Sequence, residues 1–239
     1  MFNNNFLYYL LKISYKRILL TFFILMLLNL GVFYNNTINS TIDISFIKIF
    51  LNILGGPTSF ITVCIFLLNL NSWHFSNYVV PRFNKRTIFF GFIIKLILFR
   101  TILFLVLAIL STILTALFLS PGTLLKSLIY TKETETIGLQ LVYMLSGWIM
   151  VLFIIQLIIL IFELKFTRYG TLIGSVIVLL ILFNDMYDYF SIMFVQAISS
   201  DLNFSLSKMF YDRLYLLFII VFTSLLCLKL SKSFQMLRR

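Results

Sequence analysis

The sequence predicts an all-α, polytopic membrane protein, and three observations carry that prediction. Apolar residues make up 61% of the 239-residue chain and charged residues only 11%, whereas a soluble domain has about 45–50% and about 25%. Mean hydropathy is +1.05. The apolar residues also fall in long runs, near the about 20 residues a helix needs to cross about 30 Å of hydrocarbon. No run alternates with period two. Lipid offers the backbone no partner, so each run must satisfy its own hydrogen bonds as a helix.

Six runs qualify, at 18–35, 47–70, 98–120, 137–162, 167–187 and 213–231, within one transmembrane domain covering 1–239. The first, ILLTFFILMLLNLGVF, follows Lys12, Lys16 and Arg17 much as a signal peptide would. No small-x-small cleavage site follows, so it reads as a retained span. The second contains LGGPTSFIT, in which Gly55, Gly56 and Pro57 should kink the helix. The hydroxyls of Thr58 and Ser59, with Thr62 nearby, can bond the freed carbonyls.

The apolar stretch that leads into the third run starts after Arg86 and reaches Ser120, which at 1.5 Å per residue is about 50 Å and exceeds the hydrocarbon thickness. Lys95 and Arg100 interrupt its first part. The helix is therefore expected to begin outside the lipid and enter it near Thr101, with both basic side chains snorkelling to the interface. The fifth run is short and carries YGTLIGS, whose Gly170-x-x-x-Gly174 spacing makes a close-packing face. Such a face serves packing within a chain or between chains.

Charge sets the expected topology. The net charge of +11 gathers at span ends, where it reports orientation and anionic lipid rather than nucleic acid. With the N-terminus inside, Lys12, Lys16, Arg17, Arg82, Lys85, Arg86, Lys165, Arg168, Lys229, Lys232, Arg238 and Arg239 share the inner side. Both termini are then cytoplasmic. Asp43, Glu133, Glu135, Asp185, Asp188, Asp201 and Asp212 fall outside as solvated loop acids, and Glu163 alone falls inside. Sequons at Asn35, Asn39 and Asn203 are discounted, because the Asn, Ile, Lys and Phe bias is that of an AT-rich bacterial genome. The location expected is a bacterial cell membrane.

Catalysis finds no footing in this composition. The sole histidine, His74, is placed in the cytosol, which leaves neither a zinc site nor an intramembrane Ser–His dyad. The pair Glu133 and Glu135 sits in an outer loop without a basic partner. Cys64 and Cys227 lie within apolar runs and read as small buried hydrophobes. The central thirds of the spans hold no acid or base, which disfavours ion coupling. No catalytic, cofactor or metal residues are assigned.

One stretch differs from its surroundings: SWHFSNYVVPRFNKRTIFFGFIIK, at 72–95. The part ahead of Pro81 can form a short interfacial helix, which the proline ends by disfavouring helix at Val80. Trp73, His74, Phe75 and Tyr78, followed by Arg82, Lys85 and Arg86, suit either docking into a groove of a soluble partner or anchoring on the membrane surface.

YVVPRFNKRTIFFGFIIKLI, at 78–97, resembles the second intracellular segment of type-2 ABC exporter permeases, with Pro81, Arg82, Arg86 and Lys95 in the matching places. Where that family often has an acidic residue and a Gly-Thr pair, this chain has Asn71, Ser72 and Trp73. The resemblance implies six spans and an interfacial elbow helix before the first, matched in character by FNNNFLYYLLKISYKR. It also implies a cytoplasmic coupling helix between spans 2 and 3, and re-entrant or extracellular helices between spans 5 and 6, within 184–213. In such a permease Trp73, His74, Phe75, Tyr78, Arg82, Lys85 and Arg86 would meet the ATPase. Gly55, Gly56, Pro57, Thr58, Ser59, Thr62, Gly170 and Gly174 would line the cargo path or dimer seam.

The chain has no G-x-x-x-x-G-K-[ST] loop, so ATP and Mg would belong to a separate cytoplasmic ATPase. Further partners implied are a second copy or sister permease, membrane lipid, and an amphipathic or hydrophobic peptide cargo, as in toxin-peptide export or self-immunity. The competing expectation is a non-transporting membrane scaffold or immunity protein that binds a toxin or partner.

Overall fold

The computed structural model describes residues 4–39, 58–70, 86–119, 134–166, 169–186 and 206–233. They form six α-helices: α1 (Asn4–Asn39), α2 (Thr58–Leu70), α3 (Arg86–Leu119), α4 (Thr134–Lys165), α5 (Gly170–Met186) and α6 (Leu206–Ser233). Four carry windows long and apolar enough to cross a membrane: Tyr15–Val32, Phe90–Leu119, Val142–Lys165 and Ser207–Ser231. The protein is thus all-α and, by length and composition, a multi-pass membrane protein. The apolar helix Gly170–Asp185 is shorter, and the described part of α2 has 13 residues.

Several boundaries differ from those the hydropathy predicts. A separate elbow helix is not formed, because α1 runs unbroken through Arg17 for 36 residues. The cause is local: no Gly or Pro interrupts the sequence before Gly31, so nothing ends the helix. The apolar window of α3 opens at Phe90, well before Thr101, and α6 starts at Leu206 rather than 213. The expected coupling helix, and most of the stretch expected to hold re-entrant helices, lie outside the described residues.

Helix α4 is the centre of the bundle. Of its apolar window 56% is buried, against 17% for those of α1 and α6. Val151, Leu152, Ile154, Ile155, Leu157, Ile159 and Leu160 are all enclosed. A helix apolar all round is expected at such a position, since it has no face to give to water. Around it, α5, α6 and α3 pack directly, and α1 packs on α3 and α2.

One large core cluster joins Leu25 of α1, Phe66 of α2, Phe104 of α3, Trp148 of α4, Val178 of α5 and Leu216 of α6. Within it the rings of Phe66 and Phe104 meet edge to face, with centroids 5.0 Å apart, the arrangement their quadrupoles prefer. The outward faces remain apolar: Leu98, Ile102, Val106 and Leu110 on α3, and Leu172, Val176, Leu180 and Phe183 on α5, are exposed at roughly one-turn spacing. Such stripes suit lipid.

Candidate functional site

Among the described residues, three groups of buried polar side chains join different helices of the bundle. Between α1 and α3, Asn29 donates to the Ser111 hydroxyl at 2.9 Å and accepts from Thr112 at 3.4 Å. Ser111 and Thr112 also bond back to the carbonyl of Ala108. A buried amide in hydrocarbon must find such partners, and interhelical bonds of this kind fix helix pairs in membranes.

Between α4 and α6 the Tyr143 hydroxyl donates to Asp212 at 2.5 Å, and Arg213 Nε donates to Ser146 at 2.9 Å. Arg213 also donates to the carbonyl of Tyr143, and its guanidinium lies over the Tyr143 ring, 4.1 Å from the centroid. Every charge in this clasp has a partner on the neighbouring helix. Asp212 is therefore not a free loop acid, and Asp185, at the end of α5, is buried beside Asn184.

The third group lies where α3, α4 and α5 converge. Thr171 donates to Glu163 Oε1 at 2.7 Å, and Gln156 donates to the Thr101 hydroxyl at 3.5 Å. Arg100 interacts electrostatically with Glu163, and Arg17 of α1 lies within range of the same guanidinium. Arg100 is 8% exposed and Glu163 6%. Neither reaches out to an interface, which corrects the snorkelling expected of Arg100 and the loop position expected of Glu163. Lys95 does stay exposed.

Two acceptors of this group are enclosed without a hydrogen-bond partner, Gln156 Oε1 and Glu163 Oε2. Seven residues apart on α4, they share one helix face, about 10 Å apart along the axis. The other clasp, at Tyr143, lies about 20 Å from Gln156 and about 30 Å from Glu163 along the same helix. The sequence offered one signal, since Gln156 and Glu163 sit at a two-turn interval opposite the adjacent pair Arg100 and Thr101. That signal becomes readable only once α3 and α4 are known to pack together.

Most residues singled out in the sequence lie elsewhere. Trp73, His74, Phe75, Tyr78, Arg82, Lys85, Gly55, Gly56 and Pro57 are outside the described residues. Arg86 is the first residue of α3. Thr58 and Ser59 open α2, directly after the Gly-Gly-Pro sequence, and Thr62 is buried.

Gly170 and Gly174 pack against α4 of the same chain. A Cβ on Gly174 would stand 2.9 Å from Ile159 Cα, and one on Gly170 would collide with the backbone of Glu163 and Phe162. Their spacing therefore closes the α4–α5 hairpin, whose turn bonds Phe166 N to Phe162 O and Gly170 N to Phe166 O. Helices α2 and α5 touch each other within the chain.

Cys227 is buried, its thiol donating to the carbonyl of Leu157 at 3.6 Å, and Cys64 is free and half-buried. Among the described residues no cluster of His, Cys, Asp or Glu has the makings of a metal site.

These features define an α-helical, multi-pass membrane protein with a buried polar junction among α3, α4 and α5. No protein-family model, curated protein or solved structure matches the chain.

Proposed function

We propose that this chain is the permease subunit of an ATP-driven exporter of the type-2 ABC kind, moving amphipathic or hydrophobic peptides in toxin export or self-immunity. It has six spans and cytoplasmic termini in a bacterial cell membrane, and acts with a second copy or a sister permease. ATP and Mg are handled by a separate cytoplasmic ATPase. The observation that carries this reading is the course of α3. It begins at Arg86, the last basic residue of the patch at 72–86, and continues without interruption for 34 residues to Leu119.

Along that course Phe104, Leu105, Leu107 and Ala108 are buried in the main core. Arg100 and Thr101 of the same helix enter the polar junction with α4. A helix of this length is about 50 Å long. A force applied by an ATPase at the patch therefore reaches the bundle interior through one stiff element. Such a connection is what coupling hydrolysis to helix movement needs.

Isolation in mild detergent tests the proposal. An exporter permease brings with it an ATPase subunit that hydrolyses ATP. A scaffold or immunity protein is recovered without one.

A further inference from the structure

The closest packings gather the helices into two halves, α1 with α3 and α4 with α5 and α6. The halves meet mainly at α3–α4, about as closely as α2 meets α1, and more thinly at α3–α6, while α2 also touches α5. At the α3–α4 seam, Gln156 reaches Thr101 with a hydrogen bond at the limit of length, 3.5 Å. Arg100 of α3 and Glu163 of α4, both buried, attract each other here. Both unpartnered buried acceptors, Gln156 Oε1 and Glu163 Oε2, belong to this seam. By contrast, the α1–α3 amide and the α4–α6 clasp, which lie inside the halves, have their donors and acceptors matched.

Buried acceptors without partners are rare, and each forgoes a bond that water would supply. Ile93 and Ile97 of α3 also close this seam against Leu157, Leu160 and Leu164 of α4, and the two acceptors lower the cost of parting it, because entering water satisfies both. We infer that the α3–α4 seam is a joint that parts, admitting water to Gln156 and Glu163, with the attraction between Arg100 and Glu163 as its latch. The groups facing that latch are Thr171 from α5 and Arg17 from α1. The Thr171 bond keeps Glu163 attached to the α5 side when α3 moves away. This opening belongs to the bundle itself and does not rest on the exporter reading.

The full chain in lipid nanodiscs, with Cys64→Ala and Cys227→Ala, tests it. Single cysteines replace Gln156, at the seam, and Ile159, which is equally enclosed but packs inside one half against Gly174. Each is reacted with a water-soluble methanethiosulfonate. Local opening governs the rate at such sites, and the seam cysteine should react about tenfold faster or more. Adding Glu163→Gln should raise the seam rate further and leave that at 159 unchanged.

Thr101→Cys reads the same seam from the α3 side if Gln156→Cys fails to fold. Equal rates at the seam and at 159 would overturn the joint, and a seam rate indifferent to Glu163→Gln would overturn the latch. Seam reactivity in a chain that recruits no ATPase would leave the joint standing and remove the exporter reading alone.

Discussion

Thr171 and Glu163 are joined across the turn between α4 and α5 by a hydrogen bond of 2.7 Å, from the hydroxyl to Oε1. The carboxylate's other oxygen, Oε2, is buried without such a bond. Thr171 thus supplies the hydrogen bond found on this carboxylate. Thr171→Val keeps the shape of the side chain and removes the donor. It should cost about 1–3 kcal/mol, the range for leaving a buried acceptor unsatisfied. Thermal unfolding in detergent would show a lowered Tm, and Thr171→Ser should restore most of the loss.

The glycines of the α4–α5 hairpin should rank by what a methyl group meets. Gly170→Ala drives a Cβ into the backbone of Glu163 and Phe162, while Gly174→Ala presses on Ile159. Overpacking of this kind costs typically about 1–3 kcal/mol, and the change at 170 should be the worse because backbone cannot turn aside. Gly91 of α3 has nothing within 4 Å of its Cβ position. Gly91→Ala should therefore be neutral, or stabilising by up to about 1 kcal/mol through helix propensity. Unfolding temperatures of the three variants give the order directly.

Asn29 and Ser111 provide a measure of how firmly α1 is held to α3. A double-mutant cycle of Asn29→Ala and Ser111→Ala should give a coupling energy of about 0.6–1.7 kcal/mol, the range for such bonds in membrane helices. A value near zero would mean that apolar packing alone fixes this pair.

Orientation is tested by single cysteines in a chain lacking Cys64 and Cys227. Positions Asn36, Thr134 and Ser200 should react with an impermeant reagent added to intact cells, and Asn84 and Thr167 should not. Reaction at 84 would reverse the topology and place the basic patch where no cytoplasmic ATPase can reach it.

The helices were largely legible in the sequence because hydropathy is a property of each segment alone. That α3 is one long helix starting at Arg86 could be read from the run following that residue. The continuity of α1 was legible too, from the absence of any breaker before Gly31, but resemblance to a family with an elbow pointed the other way.

What single segments do not contain is their neighbours. Glu163 at the end of an apolar run looks like an interfacial acid until α3 brings Arg100 beside it. The spacing of Gly170 and Gly174 announces a close contact and is silent about whether the partner is α4 or another chain. Gln156 offered only a polar residue in a span, and its role at the seam emerges from the packing of α3 on α4.

The most direct test of the exporter proposal is Arg82→Glu combined with Arg86→Glu, at the approach to α3. The doubly substituted chain should insert and accumulate like the parent, since both positions precede the apolar window that opens at Phe90. ATPase recovered with it from mild detergent, and the hydrolysis that the permease stimulates, should fall together, as reversal of charge at an interface costs both association and register. Unchanged ATPase recovery and hydrolysis, with only binding to anionic lipid weakened, would contradict the proposal and leave the patch a membrane anchor.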